Sequence, residues 1–304
     1  MSQSTSGIIF NVQRFSIHDG PGIRDLIFLK GCPLHCTWCS NPESQCFLPE
    51  LDYRINKCIG CHACVASCPV HAIAPQTDGS ISIDRTVCQR CFTCTKACCS
   101  GALRQIGERI TAEALVERVM KQHMSWRAEN GITLSGGEAL AQREFAIELL
   151  RLFRKEGVNT AIETCGYVPY DTLEEAAQYL DLIFFDLKCI ESSVHKQYTG
   201  VENERILSNL YRLSCQFPKL PLRVRTPLIP GINDSHDHLL KIVTFLKQLP
   251  SLQDYELLPY HNFGEGKYQQ LGRQYQFHEI KPPDKKIVKK INNDLRRLLG
   301  LPEK

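Results

Sequence analysis

No apolar run in this 304-residue chain approaches the ~18 residues that a membrane-crossing helix needs, so a membrane location is not expected. Met1 to Gly7 is polar and lacks the charged-then-apolar layout of a secretory leader, which points to the cytoplasm. Net charge is also scarce: 36 Lys and Arg stand against 33 Asp and Glu, a formal +3. That excess gives no electrostatic footprint for nucleic acid or an anionic membrane, and neither is expected as a partner. Apolar content is ordinary at 43%, enough for one large domain or one domain with a small insert.

Cysteine is what the chain has in excess. There are sixteen, and groups of three, four and four lie between Cys32 and Cys98. In a chain that is neither short nor secreted, this grouping reads as metal ligation rather than a disulfide framework. The first group, Cys32-x3-Cys36-x2-Cys39, lacks a fourth member. Three thiolates can hold three irons of a cubane cluster and leave the fourth open to a substrate or cofactor. A zinc site completed by His35 or a distant residue is the alternative.

The second and third groups share one pattern: Cys58-x2-Cys61-x2-Cys64-x3-Cys68-Pro69 and Cys88-x2-Cys91-x2-Cys94-x3-Cys98. They form an internal repeat offset by 30 residues, with the spacing of bacterial two-cluster ferredoxins. Such a pattern crosses its ligands, giving Cys58, Cys61, Cys64 with Cys98, and Cys68 with Cys88, Cys91, Cys94. Little apolar core accompanies them, so the clusters would organise this stretch more than burial would. Two zinc sites are the competing assignment. Cys99 stands where the pattern has proline, as a spare thiol or a competitor of Cys98.

Around this stretch the chain alternates strands and helices. Strands are expected at Ile8–Phe15, Leu26–Leu29, Gly131–Leu134, Val158–Ile162, Leu182–Phe185, Leu222–Leu228 and Tyr255–Leu258. Helices are expected at Thr111–Trp126, Phe145–Lys155, Leu173–Leu180, Ile206–Ser214, His238–Leu249 and Lys285–Leu299. Counting from Leu26, six strands run into loops, most followed by a helix. The expected fold is α/β, a partial (β/α)6 barrel with an inserted two-cluster ferredoxin-like module. The domain division is 1–48 for the first strand and three-cysteine loop, 49–107 for the insert, and 108–304 for the rest. Active sites of parallel α/β folds gather at the carboxyl ends of strands. Here those ends carry the three cysteines, Gly136-Gly137-Glu138, Glu163-Thr164, Asp186 with Lys188, Arg225 and His261. No obvious acid–base dyad is among them.

Cys-x3-Cys-x2-Cys followed by Gly-Gly-Glu on the next strand resembles the radical S-adenosylmethionine enzymes. Asp19 to Arg24, Trp38 to Glu43, Leu134 to Glu138, Asp186-Leu187-Lys188, His195 to Gly200, Pro227 to Gly231 and Leu257 to His261 resemble the glycyl radical enzyme activating enzymes within them. Ala139 and Asp25 depart from that family, where proline and threonine are common. The resemblance implies a 4Fe–4S cluster on Cys32, Cys36 and Cys39, and two more in the insert. It implies S-adenosylmethionine held by Trp38, Ser40, Gly136, Gly137, Glu138, Asp186, Leu187, Lys188, Arg225 and His261. Glu163, Thr164 and Asp186 correspond to a monovalent-cation site in relatives. Tyr260 and Cys165 are assigned structural roles.

The implied activity is reductive cleavage of S-adenosylmethionine to a 5′-deoxyadenosyl radical, which abstracts hydrogen from a backbone glycine of a larger partner enzyme. Choline, isethionate or other sulfonate lyases, diol and hydroxyproline dehydratases and arylacetate decarboxylases have activases of this layout. A flavodoxin or ferredoxin-type donor is the implied electron source, with the insert relaying electrons or storing them. The alternatives are a radical peptide-modifying enzyme with auxiliary clusters, whose extra cysteines usually come after the barrel, and a plain electron-transfer ferredoxin.

Overall fold

The computed structural model describes residues 4–121 and 130–304. Strands β1 (Ser6–Ser16) and β2 (Arg24–Leu29) pair antiparallel. Then come β3 (Glu50–Tyr53), α1 (Ala63–Ala66), β4 (Ile73–Pro75), β5 (Ile81–Ile83), α2 (Thr93–Ala97) and β6 (Leu103–Ile106). β3 pairs with β6 and β4 with β5, each antiparallel. β7 (Glu108–Thr111) brings the chain back beside β1 and leads into α3 (Ala112–Met120), whose first turn is capped by the Thr111 hydroxyl. Residues 122–126 of the helix expected from the sequence lie outside the described residues.

The alternation then runs β8 (Gly131–Gly136), α4 (Arg143–Lys155), β9 (Asn159–Thr164), α5 (Tyr170–Ala177), β10 (Leu182–Asp186), α6 (Ser192–Thr199) and α7 (Glu204–Gln216). It continues through β11 (Leu222–Leu228), α8 (His236–Leu246), β12 (Leu252–Pro259), α9 (Glu265–Gln270) and α10 (Lys285–Leu298). The main sheet has the order β12-β11-β10-β9-β8-β2-β1-β7. From β2 through β8 to β12 every neighbouring pair is parallel, as the alternation predicts. The sequence did not signal α6 or α9 as helices. Both are short and polar, without the apolar period that marks a core-facing helix.

Period-two alternation divides the sheet chemically. Ile27, Leu29, Ile132, Leu134, Ile162, Ile183, Phe185 and Val224 face one way, into a core shared with the helices. The apolar stripe of α4, with Phe145, Leu149, Leu150 and Phe153, packs into that core. Arg24, Thr133, Ser135, Glu163, Asp186 and Arg225 alternate with those residues and so share the opposite face.

At the amino ends of the strands this polar face is tied together by Arg24, which has no solvent exposure. Its guanidinium donates to the Thr133 hydroxyl at 2.8 Å, the Asn159 side chain at 2.8 Å and the carbonyl of Pro21 at 3.2 Å. Burial holds its pKa down to about 10. Lys30, equally buried, donates to the Glu43 carbonyl at 2.7 Å and to Glu50 at 3.0 Å, fastening the start of β3 to the end of β2.

The cysteine repeat is also a backbone repeat. His62 and Phe92, 30 residues apart, both take positive φ, at 55° and 59°, immediately before α1 and α2. His71 and Gly101 do the same at 50° and 67°, as do Gly60 and Arg90 at 67° and 57°. Left-handed non-glycine residues cost energy that an isolated short helix cannot repay. Their recurrence at one offset marks two copies of one ligand-shaped loop.

Replacing Arg24 with Met is expected to strip donors from the Thr133 hydroxyl, the Asn159 side chain and the carbonyls of Pro21, Ile132 and Asn159 at once. Stability should fall by about 3 kcal/mol, read from anaerobic denaturant unfolding. A change below about 1 kcal/mol would show that the strand bases do not depend on it.

Candidate active site

Cys32, Cys36 and Cys39 come after β2 in a loop with few hydrogen bonds of its own. Its amides are held from outside: Cys32 N–H donates to Gln45 O at 3.2 Å, His35 N–H to Thr199 O at 2.8 Å and Thr37 N–H to Tyr198 O at 3.0 Å. The last two acceptors end α6, in the His-Lys-Gln-Tyr-Thr-Gly segment. That turn is fixed in its own right, because His195 Nδ1 is 2.6 Å from Val201 O. A carbonyl can only accept, so the proton lies on Nδ1.

Beside the loop, β8 ends in Gly136 and Gly137. Gly136 has φ +124°, and a Cβ there would lie 2.1 Å from Leu29 O; at Gly137 it would lie 2.5 Å from Gly31 O and 2.8 Å from Cys32 Cβ. Only glycine allows β8 to close on β2 this tightly, with Gly137 N–H donating to Leu29 O at 3.1 Å.

The three thiols and the two glycines line one cavity of about 220 Å³. Trp38, Ser40, Ser135, Glu163, Thr164, Asp186 and Lys188 complete the wall relevant here. Burial pushes the Cys36 thiol up strongly and the Cys39 thiol up to about 11. Thiols in so dry a wall become thiolates on binding a metal. Three such donors, all free of disulfides, beside a glycine cradle, fit a cubane with one open iron and a chelating cofactor.

Charge at the far wall is balanced locally. Asp186 accepts from Lys188 Nζ at 3.2 Å and from Arg225 Nε at 3.3 Å. Burial alone would raise the Asp186 carboxyl, yet Lys188 and Arg225 hold it below the ordinary range. Lys188 is raised despite its own burial, chiefly by Asp186. Arg225 also donates to Glu163 Oε1 at 2.8 Å.

Several residues that the resemblance implied as cofactor contacts do not line the cavity. Glu138 lies behind it, fully buried, accepting from Thr164 Oγ1 at 2.9 and 2.8 Å, Cys165 N–H at 2.8 Å and Leu140 N–H at 3.1 Å. Leu187 is buried, its amide donating to Arg225 O at 2.9 Å. Arg225 is not among the lining residues and is bound to Glu163 and Asp186. His261 is not among the lining residues, although Leu258 of the same segment is, and its ring stacks on Phe263 at 4.4 Å. The structure brings Glu163, Thr164 and Asp186 together, but the Thr164 hydroxyl is committed to Glu138 and both carboxylates to cations.

Sequence reasoning missed Cys165, assigned a purely structural role. It lines the cavity, and its thiol is the hydrogen-bonding side chain that lowers the pKa of Cys32. Its place directly after Glu163-Thr164 at a strand end was the available signal.

In the repeat, Cys68, Cys88, Cys91 and Cys94 line one small enclosed void. Burial pushes the Cys64 and Cys94 thiols up, with smaller charge effects from Cys98 and Cys58 on Cys64 and from Cys88, Cys91, Cys68 and Cys64 on Cys94. Backbone amides point at two of these sulfurs, Ala72 N–H to Cys68 Sγ at 3.2 Å and Leu103 N–H to Cys98 Sγ at 3.4 Å. The donor set fits two further clusters.

The sequence matches the profile of the Radical SAM superfamily over residues 26–243. It is 44% identical over 296 residues to the (2S)-3-sulfopropanediol sulfolyase activating enzyme of Bilophila wadsworthia, covering 96% of this chain and 97% of that one. It is 43% identical over 283 residues to the isethionate sulfite-lyase activating enzyme of Oleidesulfovibrio alaskensis, covering 91% of each. The choline trimethylamine-lyase activating enzyme of the same organism is 43% identical over 274 residues, covering 88% of each.

Gly137→Ala should push Cys32 from its place and lower the iron content of reconstituted protein by about four atoms per chain. Unchanged iron would show that the loop tolerates the added methyl.

Proposed function

The chain belongs to the Radical SAM superfamily and, within it, to the activating enzymes of glycyl radical enzymes, and from that premise we propose how its residues divide the work. As an activase it works with a 4Fe–4S cluster and S-adenosylmethionine on a glycyl radical enzyme as its protein partner. Cys32, Cys36 and Cys39 hold the cluster. Bound there, the cluster and S-adenosylmethionine supply a 5′-deoxyadenosyl radical, which takes hydrogen from a glycine Cα of the partner.

The backbone of Gly136 and Gly137 receives the methionyl amino group, where a side chain would obstruct it. Lys188 meets the carboxylate, Asp186 steadies the ribose side, and Trp38 with Ser40 flanks the cofactor. Lys188 stays charged throughout, so its role is binding rather than proton transfer. Hydrogen-atom abstraction moves no separate proton, so it asks no general acid or base of the cavity. What carries this reading is the convergence of three thiols and two obligatory glycines on one cavity.

Cys58, Cys61, Cys64 with Cys98 hold a second cluster, and Cys68, Cys88, Cys91, Cys94 a third. The thiol neighbourhoods of Cys64 and Cys94 support this crossing. Held by these eight cysteines, the two clusters would supply a relay for electrons from a flavodoxin or ferredoxin-type donor. The parallel strands curl into a partial barrel whose open side admits a client segment, bringing its glycine to within roughly 3–3.5 Å of the reacting carbon.

Reconstituted protein should contain about twelve irons, and the Cys32/Cys36/Cys39→Ala triple variant about eight, with no 5′-deoxyadenosine released. Anaerobic electron paramagnetic resonance with reductant, S-adenosylmethionine and client should show a doublet on the client. The doublet should be lost when the client's glycine becomes alanine. Zinc in place of iron, or cleavage by the triple variant, would overturn the assignment.

A further inference from the structure

Glu163 and Asp186 stand on adjacent strands where an ion would have to sit, and a side chain already occupies the space between them. Arg225 reaches in from the next strand, with Nη1 2.8 Å from Glu163 Oε1 and Nε 3.3 Å from Asp186 Oδ1. The second oxygen of each carboxylate is also taken: Ser135 donates to Glu163 Oε2, and Lys188 Nζ lies 3.2 Å from Asp186 Oδ2. All four oxygens therefore have donors. The guanidinium is seated over the Phe184 ring, 4.7 Å from its centroid. Two carboxylates and two cations leave the group neutral, with Asp19 adding a more distant negative field on Arg225.

We propose that Arg225 is the resident cation of this site, so that S-adenosylmethionine binding by this chain needs no sodium or potassium ion. The inference rests on the cavity being the S-adenosylmethionine site. A metal ion touching both carboxylates would lie about 4 Å from the guanidinium, a repulsion of about 4 kcal/mol at an effective dielectric constant near 20. It would also have to displace two charge-assisted hydrogen bonds, the stronger kind. Arginine suits the role because its planar fork bridges two acceptors and stays charged at every working pH. Arg225 acts through Glu163 and Asp186 and is thus a positioning residue.

The test is equilibrium binding of S-adenosylmethionine to anaerobically reconstituted full-length protein in potassium, sodium or tetramethylammonium chloride. Ionic strength is kept at about 0.1 M, so that screening is the same in each. Wild type should bind with the same Kd within about twofold in all three salts. Arg225→Met leaves a space between two carboxylates that an ion can fill. It should bind roughly tenfold more weakly in tetramethylammonium than in potassium, about 1.4 kcal/mol. Arg225→Lys, keeping the charge, should restore independence of the salt.

A wild-type Kd that weakens tenfold without sodium or potassium would overturn the proposal. So would an iron-replete Arg225→Met that ignores the salt. If Arg225→Met does not retain iron, the wild-type and Arg225→Lys series decide the matter alone. No binding in any salt would instead remove the cofactor site itself, and the inference with it.

Discussion

A carboxylate without solvent contact holds the site together. Glu138 is fully buried, and that burial pushes its carboxyl group up from the usual carboxylate range. Burying such a group is costly unless its oxygens are met by donors. Here Thr164, Cys165 and Leu140 supply them, joining the end of β8 to the end of β9. Its own amide donates to Gly31 O at 2.9 Å, which joins β2 as well. Three strand ends are thereby fixed at the rim from which the cysteine loop departs. The two glycines can press against Cys32 because Glu138, the next residue, anchors the chain on their carboxyl side. These bonds account for its place in the Gly-Gly-Glu motif.

Away from that rim, in the cysteine repeat, thiols stand where an ordinary core has aliphatic side chains. The cluster of buried side chains in the repeat includes Cys64, Cys68 and Cys94 among a few aliphatic residues such as Leu51, Ile73, Ile81 and Leu103. Sulfur makes up much of this core, and left-handed residues at matched offsets shape the loops around it. On the proposed assignment, a segment so built would gain its stability largely from what its thiolates bind. It meets the rest of the chain through Lys30, Glu50 and Arg85, the last donating to Leu51 O at 2.8 Å and Gln270 O at 2.9 Å.

The parallel sheet could be read from the sequence because the apolar strands alternate with amphipathic helices at ordinary spacing. The cavity could be read in part, since cysteines and glycines declare themselves by spacing. What could not be read was direction. Glu138, Leu187 and Arg225 sit at motif positions, yet Glu138 and Leu187 are turned into the interior and Arg225 is taken up by Glu163 and Asp186. Thr164 faces the cavity but gives its hydroxyl to Glu138. Cys165 escaped notice because a single cysteine has no spacing to recognise, and its meaning depends on β9 lying next to β8. The α6 turn that holds the cysteine loop lies about 160 residues from it in sequence, and only the fold brings the two together.

Mass spectrometry of 5′-deoxyadenosine formed with a client whose glycines carry deuterium at Cα tests the account most directly. Abstraction from the client's backbone predicts 5′-deoxyadenosine that gains one deuterium when the glycyl radical forms, and no gain when that glycine is replaced by alanine. Deuterium-free 5′-deoxyadenosine alongside a fully formed client radical would contradict direct transfer through this cavity.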